Sequence, residues 1–367
     1  MKGKMRIVLL VIALILLFSI VFGLCYTLFY SSDELKYNNP RDLVKSYVNS
    51  LIKEDYSLSY KYINLPYNSF VNKDDYIKYI KNKGYYGELK NYNKIKNIEE
   101  ESALSYLVTL VDKKDNSVKL DISLIERTVN DYRIDESELY VENFKLSVPK
   151  GTKVTIDGMV ANDEVKSRGD KLTDIYILPA IAVNTKKVIL ENDLGKKEVD
   201  LEITSESKDE KIVMELTDND MKNKAYNYVK DTWNRMYEDF ENEKSLEEIK
   251  KYFDENVSEN RIKNYYETGF NRIQTTGTSN SDFRDFDIVD MRDNPSEKNY
   301  IETNDIITLN FGYELSWNWY NRSIFLHEDH MTRYSSIKLK VVDDSFVIYE
   351  VVDSGLFNYA SPYTRDY

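Results

Sequence analysis

Nothing constrains this chain more than its uncharged N-terminal run. Residues 7–30 hold no Asp, Glu, Lys or Arg, and Leu, Ile, Val and Phe dominate them. A helix needs about 20 apolar residues to cross the hydrocarbon core, so the run predicts a membrane span. Lys2, Lys4 and Arg6 precede it, and the next basic residue is Lys36. That asymmetry holds the N-terminus in the cytoplasm and carries the rest across the membrane. Tyr26, Phe29 and Tyr30 close the run as interfacial aromatics do. The competing reading is a cleaved signal peptide, but the run exceeds the usual apolar core of about 7–15 residues and no small-x-small site follows it. Lipidation of Cys25 would require a small residue where Leu24 stands. The expectation is a single-pass protein of the cell membrane with an extracytoplasmic body.

The formal charge is −13; Lys2, Lys4 and Arg6 contribute +3, so everything after Arg6 carries −16. An acidic body without a basic stripe lacks the footprint for phosphate contacts, which excludes nucleic acid as a partner. The single Cys lies in the apolar run, which excludes a disulfide framework and a Cys-based zinc site. With 42% apolar residues the body has the means to bury true cores, and its length predicts two or three domains. The 31 tyrosines beside 12 Gly and 6 Pro reflect compositional bias and not a carbohydrate-binding surface.

After a tether at residues 31–39, Asn39-Pro40 opens a helix with Asp42 in its first turn. Leu43, Val44, Tyr47, Val48, Leu51 and Ile52 form its apolar stripe. Further helical pieces are expected at residues 56–63 and 74–83, then strands at 94–98, 104–111 and 118–127, with turns at 112–116 and 129–131. Helices cupped on a curled meander predict an α+β domain over residues 40–139. From Tyr140 short strands take over at 144–148, 153–156, 175–178, 188–190, 199–203 and 212–216. They predict a small β-sandwich over 140–217, with Asp157-Gly158 as a tight turn. Helical periodicity returns at Asp218, through Tyr228, Val229, Thr232, Trp233, Met236, Tyr237 and Phe240. A second piece starts at a Ser245–Glu248 capping box, and a third covers 259–273. After a polar loop at 275–282, strands are expected at 286–291, 306–319, 335–342 and 346–352. Helices first and meander second repeats the order of residues 41–127, so 218–358 is expected to be a second copy of the first fold, followed by a tail at 359–367.

The segment from Tyr47 to Ile63, with the strands after it, resembles the NTF2-like fold, a cone of helices around a bent sheet. Phe144-Lys-Leu-Ser-Val-Pro and Lys153-Val-Thr-Ile-Asp-Gly are similar to the β module of TcaA/YvbJ-type membrane proteins of Gram-positive bacteria. Tyr228-Val-Lys-Asp-Thr-Trp-Asn-Arg-Met-Tyr-Glu-Asp-Phe resembles the opening of that family's last domain. The resemblance implies an α+β architecture with two NTF2-like domains flanking a β-sandwich, and a link to cell-wall stress or glycopeptide response. The cytoplasmic four-Cys zinc ribbon with which the family often begins has no counterpart in the six residues before the apolar run.

Chemistry-bearing candidates are few. His327-Glu-Asp-His330 contains both histidines. On a turn or helix the pair could chelate a divalent metal, whereas on a strand residues three apart face opposite ways; a solvated loop without metal is expected. Asp121 and Asp287 are candidate inward carboxylates of the kind an NTF2-like enzyme would use. Neither a nucleophile elbow nor a phosphate loop occurs. Tyr313, Trp317, Trp319 and Tyr320 form an aromatic set; on a strand Tyr313, Leu315, Trp317 and Trp319 share one face, which either fills a core or stacks on a sugar or peptide. The resulting expectation is a non-enzymatic binding protein of the cell envelope, without cofactor, whose partner is a cell-wall component or another envelope protein. The rival readings are an NTF2-like enzyme for a small apolar substrate and a structural spacer in an envelope or sporulation complex.

Overall fold

The computed structural model describes residues 37–275, 281–343 and 345–352. The expected membrane span, most of the tether, the centre of the loop expected at 275–282 and the tail from residue 353 lie outside the described residues. Those described form a mixed α+β protein in which sheets predominate and helices are few. Among them no helix is long and apolar enough to cross a membrane. Two compact units emerge: residues up to Leu65 together with Asn72–Leu139, and Pro66–Val71 together with the chain from Tyr140 onward.

In the first unit helix α1 (Pro40–Ile52) begins where Asn39 caps it, its side-chain oxygen accepting from Arg41 N at 3.0 Å and Asp42 N at 3.3 Å. Leu43, Val44, Tyr47, Val48 and Leu51 bury one face, as their spacing demands. Because the cap satisfies two amide donors that the helix cannot, Asn39→Ala is expected to cost about 1 kcal/mol; urea denaturation of the variant measures it. Helix α2 (Tyr56–Ser59) tightens into a 3-10 turn over Tyr60–Tyr62. Helix α3 (Lys73–Asn82) starts with a capping box between Asn72 and Asp75. Then β1 (Lys94–Ser102), β2 (Ser105–Val111), β3 (Ser117–Thr128) and β4 (Asp131–Ile134) form an antiparallel sheet in sequence order. The turn before β3 is held by Asp112, whose carboxylate accepts from Lys114 N at 2.7 Å and Asn116 N at 2.9 Å.

The second unit opens with β5 (Tyr140–Pro149), β6 (Lys153–Ile156), β7 (Met159–Val160), β8 (Lys166–Ser167), β9 (Thr173–Ala182), β10 (Thr185–Asn192), β11 (Gly195–Glu202), β12 (Asp209–Lys211) and β13 (Met214–Glu215). Two four-stranded sheets result, β11-β10-β6-β7 and β12-β5-β9-β8. Phe144, Leu146, Val148 and Leu178 of one sheet and Val154, Ile156, Val188 and Leu190 of the other fill one core, as in sheets packed face to face. Asp157 and Gly158 turn the β6–β7 hairpin at φ +47° and +83°, the geometry that favours Asp-Gly. Asp157 also accepts from Lys187 N and from the fully buried Lys186 Nζ, both at 2.9 Å. Phe70 joins this unit through its N–H to Ala180 O at 2.6 Å.

Helix α4 (Asn219–Glu241) buries Val229, Thr232, Trp233, Met236, Tyr237 and Phe240 on one stripe. At α5 (Leu246–Ile249) the Glu248 carboxylate accepts from Ser245 N and Oγ at 3.0 Å. After α6 (Glu259–Thr275) come β14 (Ser281–Asp293), β15 (Tyr300–Ile301), β16 (Ile306–Asn321), β17 (Ile324–Val342) and β18 (Ser345–Val351). The sheet runs β13-β15-β16-β17-β18, with β14 also on β16. One hydrophobic cluster extends from Phe144 through Trp233 to Ile348. The two α+β parts share a local connection. After its 3-10 turn Ile63 bridges Ile134 and Asn64 N donates to Ile134 O; after its own 3-10 turn Phe253 bridges Ile348 and Asp254 N donates to Ile348 O. Both hydrogen bonds are 2.8 Å.

Candidate functional site

The site candidates converge on the β16–β17 hairpin, whose strands have 16 and 19 residues. Its two-residue turn, Arg322-Ser323, has φ +47° and +68°, the primed geometry that matches the twist of paired strands. Pairing is continuous from Ile306↔Lys340 to Asn321↔Ile324, broken by one shift between Trp319↔His327 and Tyr320↔Phe325 that leaves Leu326 without an opposite residue. Bulges of this kind bend a ribbon and turn side chains to new directions.

Burial falls steadily along the ribbon. At its root Leu309, Phe311, Tyr313 and Leu315 are 0–2% exposed. Trp317 is 6% exposed and stacks on Phe286 at 6.5 Å. Trp319 is half-buried and lies parallel to His327 at 5.4 Å. Beyond them Ile324, Phe325 and Leu326 are 68%, 53% and 50% exposed. A consecutive exposed apolar triplet is what a soluble surface avoids unless something covers it.

Tyr313, Trp317 and Trp319 share the face that runs into the core, and Tyr320 is on the other one. Its ring meets Phe325 at 6.0 Å, and its hydroxyl donates to Asp285 Oδ2 at 2.6 Å. Asn318 Nδ2 donates to the same oxygen at 3.0 Å, and the two bonds hold the Asp285 carboxyl below its usual range. Arg284 lies over the Tyr320 ring at 5.5 Å. The structure therefore brings three of the four aromatic candidates to one face, two of them as core, and makes Tyr320 part of the opposite face.

The loop expected around His327 and His330 is instead part of β17. Cross-strand pairing with β16 supplies the backbone hydrogen bonds, so the segment needs no apolar alternation to be a strand. His327 packs on Trp319, whereas His330 on the other face lies 3.3 Å from Glu314 and 3.5 Å from Glu328. The pair does not converge. Among the described residues no group of three or more His, Cys, Asp or Glu is arranged to hold a metal ion.

Two carboxylate nests escaped the sequence, one buried around Glu136 and one around the exposed Asp293. Glu136, 3% exposed, accepts from Tyr47 OH at 2.8 Å, Tyr79 OH at 2.7 Å and Lys83 Nζ at 2.6 Å. Burial, then the Glu136 charge, pushes the Tyr79 hydroxyl far above its ordinary pKa. Asp121, on the exposed face of β3, borders the same cavity of about 250 Å³. In the second unit Asp293 accepts from Tyr226 OH at 2.5 Å, Asn299 Nδ2 at 3.0 Å and Lys222 Nζ at 3.2 Å beside a cavity of about 460 Å³. Asp287 accepts from Asn234 Nδ2 on α4. Such nests join residues dozens of positions apart, which no local pattern signals. No protein-family model matches this chain and no curated protein matches it by sequence, so its function has to be read from its own geometry.

Proposed function

We propose that the chain is a non-enzymatic binding protein of the bacterial cell envelope, anchored by residues 7–30 with its body outside the cytoplasm, and that the end of the β16–β17 hairpin is its contact surface. The observation that carries this is the exposed Ile324-Phe325-Leu326 triplet at the end of a long paired ribbon. The shared connection through Ile63 and Phe253 supports the reading of two NTF2-like copies flanking the β module at 140–217. Both oxygens of Glu136 already accept hydrogen bonds, which supports a structural role over that of a free general base. A link to wall stress or glycopeptide response follows the resemblance to TcaA/YvbJ-type proteins.

The test is photo-crosslinking in cells, with the full chain carrying a photoreactive residue at position 325 or, as control, at the exposed Lys196 on the sandwich. Adducts with envelope material are expected from 325 alone. Equal or absent yield from 325 would end the reading. Orientation is read separately: protease added to intact cells is expected to remove the body, and survival of the body until lysis would reverse it.

A further inference from the structure

We infer that the end of this hairpin is a lipid contact, seating Ile324, Phe325 and Leu326 in the interfacial layer of a bilayer with anionic head groups. The inference rests on the hairpin being the contact surface and names what it touches.

Three observations carry it. The first is the distribution of the apolar side chains. Phe325 is on one face with Tyr320, whereas Ile324 pairs with Asn321 on the face of Trp319 and His327. A protein surface meets one face of a ribbon; a bilayer surrounds both. The second is area. At ~200 Å² for a fully exposed side chain of this size, the three expose about 340 Å². That is well short of the roughly 800 Å² per partner of a stable protein interface, but it suits a wedge about 5–10 Å deep.

The third is charge. The chain has 63 acidic residues among 367, yet residues 315–327 contain none, between Glu314 and Glu328. Arg322 occupies the turn and Arg284 lies beside Tyr320. A long guanidinium side chain reaches back from the apex to phosphates while its stem stays among apolar groups. Behind the triplet Trp319 and Tyr320 take the place of the aromatic belt found at membrane interfaces. On the hairpin itself the order is apolar end, aromatic band, then the acids Glu328, Asp329 and Glu314. Beside the aromatic band β14 brings Asp282 opposite Tyr320 and Asp285, whose carboxylate accepts from Tyr320 OH, so the acid-free part is the apolar end with Arg322 at its turn.

The test uses the full chain in vesicles of mixed anionic and zwitterionic phospholipid, with part of the lipid brominated near the head of its acyl chains. The protein's three tryptophans are Trp233, Trp317 and Trp319, none of them in the anchor, so Phe325→Trp adds one reporter at the hairpin end. Brominated lipid is expected to quench most of the added emission and to spare Trp233. The triple variant F325W, I324D, L326D, which leaves the buried root of the ribbon untouched, is expected to lose that quenching while keeping the wild-type circular dichroism. Arg322→Glu is expected to weaken it on anionic vesicles and not on wholly zwitterionic ones. Emission of F325W that brominated lipid leaves unchanged would overturn the inference. If position 325 then still crosslinked in cells to a protein, a second copy or wall material, the lipid assignment would fall and the contact surface would stand; no crosslink at all would remove both.

Discussion

Glu136→Ala is expected to destabilise the first unit by about 3 kcal/mol, lowering its midpoint by roughly 15 °C. The cost comes chiefly from Tyr47. Its ring is fully buried, and its hydroxyl, which accepts from Tyr76 OH at 3.3 Å, donates a hydrogen bond to Glu136. Removing the acceptor leaves that donor desolvated. Lys83 contributes less, since it is 31% exposed and lies 3.9 Å from Glu138, so solvent and a second carboxylate absorb its charge. Glu136→Gln separates the two parts: the amide oxygen still serves Tyr47, and Tyr79 OH is already within 3.3 Å of Glu138, so a loss of only about 1 kcal/mol is expected. All three tryptophans lie in the second unit. Tryptophan emission therefore reports the second unit alone while far-ultraviolet circular dichroism reports both, and the transition that moves should be the one tryptophan emission does not follow. Equal losses in Ala and Gln would mean that the nest is not what holds this corner of the unit.

How much was legible in the sequence follows from how far each feature reaches along the chain. Helix α1 was readable because its cap, its Pro and its stripe all lie within residues 39–52, and its five core positions are buried as spaced. The β6–β7 turn was readable because Asp-Gly alone sets its backbone. Strand β4 was missed: Asp131-Tyr-Arg-Ile has no apolar alternation, yet Asp131 and Arg133 are both 4% exposed and lie 3.6 Å apart. A buried ion pair imitates a polar turn when seen from sequence. The polar half of β17 was misread for the converse reason, since its order comes from β16 and not from a buried face of its own. The aromatic set was visible, but not the division along it between core and surface. That division depends on where β18 ends alongside the ribbon, since it pairs only from Ile337 onward whereas β14 follows β16 as far as Asn321. The Glu136 nest spans residues 47 to 136 and left no local trace.

The same division sets the largest expected effect, among the tryptophans. Trp233→Ala empties the largest fully buried site in the described chain and is expected to cost about 3–5 kcal/mol, followed as loss of cooperative unfolding in urea. Trp317→Ala is expected to cost nearly as much, because its ring is 6% exposed against Phe286. Trp317→Phe behaves differently: among the described residues the buried indole N–H has no hydrogen-bond acceptor, a defect worth about 1–3 kcal/mol. Phenylalanine removes that defect while keeping most of the packing, so near-neutral stability is expected. Trp319→Ala, half-buried at the edge of the core and stacked on His327, should cost less than Trp317→Ala, about 1–2 kcal/mol. Loss of envelope crosslinking in Trp319→Ala would therefore report a lost contact, whereas the same loss in Trp317→Ala would report a damaged sheet. If Trp317→Phe proved as costly as Trp317→Ala, the indole nitrogen would have an acceptor in solution, and the face taken as packed core would have to contain a polar group that the aromatic set was built to meet.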